Sequence, residues 1–82
     1  PGAPTHILVI PRKPIAKIAD ATEDDAGLLG RMLLVANTIA QREGLEESGW
    51  RYVINNGAGA GQSVFHLHLH ILGGRPLSWP PG

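Results

Sequence analysis

Apolar stretches with different periods divide the chain into predicted elements. The first, "THILVIP", is apolar throughout residues 7–10, and a proline ends it, which predicts a strand at about residues 5–10. Since nearly every position in this run is apolar, we expect a central strand that is buried on both faces. Residues 12–20 follow Pro11 and contain Pro14, and they show no long period, so we interpret them as an irregular crossing segment.

Residues 22–44 have helical periodicity with signals at both ends. Thr22 and Asp25 fit a capping box, and acidic residues fill the first turn, where the helix dipole favours negative charge. Gly44 is placed to end the helix in the left-handed conformation. The apolar residues at helical spacing are Leu28, Leu29, Met32, Val35, Ala36, Ile39 and Ala40.

The last apolar stretches predict two strands joined by a glycine-rich loop. Residues 51–55, "RYVIN", and residues 63–72, "SVFHLHLHIL", alternate enough to form strands, and residues 56–62, "NGAGAGQ", separate them. We expect the two strands to pair antiparallel. The predicted order is β, α, β, β in a single domain spanning residues 1–82.

Composition narrows the class of protein. A hydrophobic content of 43% with 17% charged residues is typical of a globular domain, and zero net charge gives no steering toward a nucleic acid polymer or an anionic membrane. The chain has no cysteine, which excludes a disulfide scaffold and a thiol nucleophile. No signal peptide is visible, so a cytoplasmic protein is expected, with an organellar one after removal of a transit peptide left open.

The segment "HLHLH" carries the candidate chemistry. Side chains of a strand alternate between faces at about 3.3 Å per residue, so His66, His68 and His70 are expected to share one face. A single zinc ion does not easily bind all three, because the outer two lie about 13 Å apart at that rise. Two of these histidines, with His6 as a third ligand from a neighbouring strand, could bind one zinc ion. Satisfied polar residues on a solvent-facing strand are the structural alternative.

Catalysis is the third interpretation of the histidine face. Neutral imidazole is a nucleophile, and its ordinary pKa of about 6.5 lets it carry protons at neutral pH. The preceding loop has glycine at 57, 59 and 61, which lets backbone N–H groups converge on an anion. Asn55 and Ser63 add an amide and a hydroxyl at its two ends. A phosphoryl group would suit such a site.

The segments "APTHILVIP" and "VINNGAGAGQSVFHLHLHILGGR" and the closing "WPPG" resemble the histidine triad superfamily, and within it the nucleotide-binding phosphoramidase branch. The resemblance covers nearly the whole chain. It implies an α+β fold with an antiparallel sheet and one long helix, a homodimer, and hydrolysis of purine nucleoside 5′-phosphoramidates and aminoacyl adenylates. It implies an AMP-like ligand, no cofactor and no metal.

The resemblance also assigns roles to particular residues. His68 would be the nucleophile that carries a nucleotidyl intermediate, with His66 and His70 orienting it and assisting the phosphate and the leaving group. His6 matches a fourth histidine on the neighbouring strand. Trp79 matches a tryptophan that lies near the partner subunit's site. The positions that match contacts to phosphate and ribose are Asn55, Gly61, Gln62 and Ser63.

The sequence departs from the family pattern at its start. Members usually carry a preceding short helix and hairpin that supply the purine half of the pocket, so we expect a domain that is incomplete at its N-terminus. Three other functions stay open: a nucleotide-binding module with little turnover, a dinucleoside polyphosphate hydrolase or nucleotidyl transferase of the same superfamily, and a zinc-binding or purely structural β domain.

Overall fold

The computed structural model describes residues 3–82, and over these residues it has three strands and one long helix. The strands are β1 (Thr5–Val9), β2 (Trp50–Val53) and β3 (Leu69–Gly73), and the helix is α1 (Ala26–Arg42). Short 3₁₀ turns cover Ile18–Asp20, Glu23–Asp25 and Ala58–Ala60. The expected α+β class, with an antiparallel sheet and one long helix, is confirmed.

The strand order in the sheet is β1-β3-β2, and both pairings are antiparallel. The predicted pairing of the second and third strands is therefore right, but the prediction that β1 is central and buried on both faces is wrong. Within residues 3–82, β1 pairs with β3 alone, and Leu8 remains 46% exposed. An apolar run predicts that a strand forms, but it does not predict which strands will pair with it.

Helix α1 begins and ends where its local signals predict. The Thr22 N–H donates to Asp25 Oδ2 at 2.9 Å, so the capping box forms, and it sits on a 3₁₀ turn that leads into the helix. At the other end Gly44 has φ of +74°, as expected for a left-handed stop. Met32, Ala36 and Ala40 are the buried helix residues, and they pack in one core with Leu67, Leu69 and Ile71.

The predicted strand at residues 63–72 is wrong over its first half. Only Leu69–Gly73 pairs as β3, because the preceding residues bond to the crossing segment instead of to a strand. The Leu67 N–H donates to the Ile15 carbonyl at 2.7 Å. Burial still alternates, with Leu67, Leu69 and Ile71 at most 1% exposed, but Phe65 was expected on the same side and is 53% exposed. No helix within residues 3–82 is long and apolar enough to cross a membrane.

Candidate active site

The histidines lie on the face of the sheet opposite α1. Residues paired across antiparallel strands point to the same face, and Leu8 and Val53 both pair with His70, while His6 pairs with Leu72. The alternate residues of β3 are buried against the helix. The sheet therefore separates an apolar side under α1 from an open side that carries His6 and His70.

Three of the imidazoles form one connected cluster. His6 Nε2 and His70 Nδ1 are 2.7 Å apart, and the two rings are stacked with their centroids 5.0 Å apart. The His68 ring meets the His70 ring edge-on at a centroid distance of 4.9 Å. The structure thus brings His6, a residue more than sixty positions away in sequence, against the histidine segment, as predicted from the neighbouring-strand placement.

The main chain fixes the tautomer of His68. Its Nδ1 lies 2.8 Å from the His66 carbonyl oxygen. A carbonyl oxygen can only accept a hydrogen bond, so Nδ1 carries the proton and donates. In the neutral ring Nε2 is then left with its lone pair, which is the form of imidazole that can attack an electrophile.

The His66 side chain is held by Pro11, the residue before the crossing segment, rather than by the other histidines. Its Nε2 donates to the Pro11 carbonyl oxygen at 2.8 Å, and the neighbouring Leu67 amide bonds to Ile15. These two contacts place the His66 carbonyl where His68 needs an acceptor. His66 therefore acts on the cluster through its backbone carbonyl. The sequence had instead predicted that the His66 side chain lies in one row with those of His68 and His70.

His70 has one buried ring nitrogen. Its Nε2 is buried and has no hydrogen-bond partner among residues 3–82. Desolvation by burial, and then the nearby charges of His68 and His6, lower the pKa of His70 below its usual value of 6.5. The ring is accordingly kept neutral. Because His6 faces Nδ1, a neutral His70 can present Nε2–H as a donor that lacks an acceptor, and such a group fits an anionic oxygen.

Gln62 supports the glycine loop from inside. It is 4% exposed, and its Oε1 accepts from the Gly57 N–H at 2.8 Å. Its Nε2 donates to the carbonyl oxygens of Ala16 and Val64, at 2.8 and 3.1 Å. The Gln62 backbone N–H also bonds to the Gly57 carbonyl. With its polar groups engaged in this way, Gln62 holds the loop in place and does not offer its amide to a ligand.

The other predicted loop residues differ in what they leave available. The Gly61 N–H bonds to the Ala58 carbonyl, and Gly61 has φ of +93°, a conformation that glycine tolerates. Its backbone approaches Asn55, whose Nδ2 is 3.9 Å from where a Cβ on Gly61 would lie. Ser63 is exposed, and neither Ser63 nor the Asn55 side chain has a hydrogen bond to another group of residues 3–82. Asn55 and Ser63 are therefore the loop's accessible polar side chains.

Trp79 lies away from the histidine cluster within the chain. It is 79% exposed, with its ring centroid 6.0 Å from the guanidinium carbon of Arg51. Arg51 pairs with Leu72, two residues beyond His70 along β3 and further still from His68. A contribution of Trp79 to the histidine site of its own chain does not follow from this geometry.

Several residues that shape the site carry no recognisable signal in the sequence. The carbonyls of Pro11, Ile15 and Ala16 orient the histidine segment and Gln62. Asn56 accepts a hydrogen bond from the Ala19 N–H at 2.8 Å and ties the loop to the same part of the chain. The one clue in the sequence is a pair of prolines, Pro11 before the crossing segment and Pro14 within it. Prolines disfavour regular structure and leave nearby carbonyls free to accept hydrogen bonds.

Comparisons with known proteins give matches over most or all of the chain. A family model described as "HIT domain" matches residues 1–77. The chain is 57% identical over its full length to an uncharacterized HIT-like protein of Synechococcus elongatus, and covers 71% of that protein. A crystal structure of a HIT family hydrolase from Legionella pneumophila Philadelphia 1 is 55% identical, with a TM-score of 0.96, and the match covers all of this chain and 73% of that one.

A further relative raises the question of a metal. The chain is 50% identical over 84 aligned positions to a protein of Zea mays named "14 kDa zinc-binding protein". The match covers all of this chain and 65% of that protein. Within residues 3–82 no group of three or more His, Cys, Asp or Glu side chains is arranged to hold a metal ion. His6 and His70 face each other, and His66 and His68 bond to main-chain carbonyls. The residues as arranged do not fit a zinc ion.

Proposed function

This chain belongs to the HIT domain family, and on that premise we propose that it hydrolyses purine nucleoside 5′-phosphoramidates, and aminoacyl adenylates, through a nucleotidyl intermediate on His68. The match to a structure titled as a HIT family hydrolase supports the general activity. The observation that carries the proposal is the bond from His68 Nδ1 to the His66 carbonyl, which leaves Nε2 unprotonated beside the buried N–H of His70.

In the first step Nε2 of His68 attacks the phosphorus and the P–N bond to the amine breaks. Negative charge builds on the non-bridging oxygens, and hydrogen-bond donors placed beside them stabilise it. The hydroxyl of Ser63, which is exposed and has no hydrogen bond to another group of residues 3–82, is the donor that we assign to the phosphate. Asn55 lies beside the loop and is assigned to the ribose side.

The departing nitrogen must gain a proton. His6 is exposed, so it connects His70 to solvent. We propose that His70 Nε2–H passes its proton to the amine while His70 Nδ1 takes one from His6, which is replenished from water. This relay never requires His70 to hold two protons, in agreement with its lowered pKa.

In the second step water attacks the phosphorus of the nucleotidyl-histidine, and the bond to His68 Nε2 breaks. The water proton returns through His70 and His6, the product is a nucleoside 5′-monophosphate such as AMP, and His68 recovers its lone pair. The chemistry uses nucleophilic and acid–base groups only, so we propose no cofactor. The ligand is proposed to be a purine nucleotide and the assembly a homodimer, in which Trp79 reaches the partner subunit's site.

Substitution of His68 tests the proposal directly. His68→Ala should lower the turnover of adenosine 5′-phosphoramidate by at least about a thousandfold, because the nucleophile is lost while the rest of the cluster remains. AMP release is measured by chromatography, and far-ultraviolet circular dichroism checks the fold. Arg31→Ala, a change to an exposed residue on α1, is the matched control and should leave turnover unchanged.

Two outcomes would reject this assignment. Full activity of His68→Ala would exclude His68 as the nucleophile. If rapid quenching into base never yields a nucleotidyl adduct on His68 in the unsubstituted protein, the covalent route fails. Faster cleavage of a diadenosine polyphosphate than of the phosphoramidate would favour the sister branch, and binding of AMP without turnover of either substrate would favour the binding module.

A further inference from the structure

One side chain of the sheet contacts the C-terminal tail at two successive residues. Arg51 on β2 donates from Nη2 to the Ser78 carbonyl oxygen at 2.8 Å. The same guanidinium lies 6.0 Å from the ring centroid of Trp79, within the range of a cation–π contact. Two kinds of interaction from one residue therefore act on two successive tail residues.

This attachment lies on the histidine side of the sheet. Tyr52 points to the helix side, where its hydroxyl bonds to Asn37 of α1. Its strand neighbour Arg51 must then point to the opposite face. Arg51 pairs with Leu72, which lies two residues from His70 on β3, so Arg51 and His70 share one face of the sheet. The indole of Trp79 is therefore held by a residue of that face, and it remains 79% exposed.

We infer that Arg51 is a positioning residue, which fixes Trp79 so that, in the proposed homodimer, its indole forms one wall of the partner subunit's nucleotide site. The inference rests on the proposed function, and it adds a residue to which neither the sequence nor the family resemblance assigned a role. Arg51 does not touch the reacting atoms. It acts through Trp79, whose ring is 79% exposed and lies against the Arg51 guanidinium.

The guanidinium group suits this task better than an ammonium group would. It is planar, so it can donate in its plane to the Ser78 carbonyl while its charge faces an aromatic ring. Lysine would keep the charge but could not hold both contacts in a fixed relation. Alanine at position 51 would remove both contacts, and the pairing of β2 with β3 would remain because main-chain groups make it.

The first test measures the motion of Trp79 and needs no substrate. In a Trp50→Phe background Trp79 is the only tryptophan, and time-resolved fluorescence anisotropy reports the motion of its indole. Arg51→Ala should raise the mobile fraction about two- to fivefold, the factor expected for the loss of an exposed cation–π contact, and Arg51→Lys should fall between. Arg31→Ala is the control. An unchanged anisotropy decay in Arg51→Ala would overturn the inference.

The second test asks whether Arg51 acts through Trp79. If it does, Arg51→Ala combined with Trp79→Ala should have the same kcat/KM for adenosine 5′-phosphoramidate as Trp79→Ala alone. Losses that multiply would show that Arg51 acts independently, and would overturn the positioning role. If the unsubstituted protein does not turn over this substrate, the proposed function fails, while the anisotropy measurement still decides whether Arg51 fixes the tail.

Discussion

Replacement of Gln62 by leucine tests whether side-chain hydrogen bonds hold the glycine loop against the crossing segment. Leucine is similar in size but has no polar atom, so the change deletes the bonds to the Gly57 N–H and to the Ala16 and Val64 carbonyls. Gln62 is 4% exposed, and its replacement leaves these three partners without their acceptor and donor. The effect should therefore exceed that of a typical surface substitution.

The expected loss can be worked out from these contacts. A net contribution of about 1 kcal/mol for each hydrogen bond gives roughly 3 kcal/mol. A domain of 82 residues has a total stability of about 4–12 kcal/mol at ordinary values per residue, so the loss is a large share of it. At about 4–8 °C per kcal/mol for a domain of this size, the melting temperature should fall by roughly 12–24 °C.

Urea denaturation followed by circular dichroism measures the change in the free energy of unfolding. Gln41→Leu, at an exposed glutamine on α1, is the matched control and should shift it by no more than about 0.5 kcal/mol. Gln62→Glu should be destabilising too, because it keeps an acceptor for Gly57 but places an oxygen against two carbonyl oxygens. If Gln62→Leu unfolds within about 0.5 kcal/mol of the parent, the hydrogen bonds do not hold the loop and this argument is refuted.

Three further changes have predicted signs. Gly30→Ala should raise the free energy of unfolding by about 0.5–1 kcal/mol, since a Cβ there meets nothing within 4 Å. Gly44→Ala should lower it by about 1–2 kcal/mol, because φ of Gly44 is +74°. Thermal melts of both variants check this, and equal shifts of the melting temperature would contradict it. His70 has a folded pKa below 6.5, so the unfolded chain takes up its proton first and the free energy of unfolding should fall as the pH drops below about 6.5, until the folded pKa is passed. His70→Gln should lose this part of the pH dependence in denaturation experiments between about pH 5 and pH 8, and an unaltered slope would argue against it.

The parts of the fold that the sequence predicts well are those set by local interactions. The helix follows from its apolar period, from Thr22 and Asp25 at one end and from Gly44 at the other, and the structure has each of them in the expected conformation. The end of β1 follows in the same way from Pro11. These signals act over a few residues, so a single sequence contains them in full.

Pairing and strand extent depend on partners that are distant in the chain. Residues 63–68 alternate like a strand, but Leu67 bonds to Ile15 and the His66 ring bonds to Pro11, so the ladder starts only at Leu69. The same dependence explains why β1 is not central. For the site, the family resemblance predicted His6 on the strand next to the histidine segment but did not name His70 as its partner. The inward orientation of Gln62 required knowledge of where the crossing segment lies.

The crossing segment also explains how the histidines are oriented without a carboxylate. In many sites an Asp or Glu accepts from the histidine and adds negative charge beside it, which raises its basicity. Here the acceptors for His66 and His68 are the neutral carbonyls of Pro11 and His66. A neutral acceptor fixes the tautomer of His68 equally well, and it does not repel an anionic phosphoryl group as a carboxylate would. An irregular, proline-containing segment is well suited to this role, because a regular strand or helix would already have used its carbonyl oxygens in hydrogen bonds of its own.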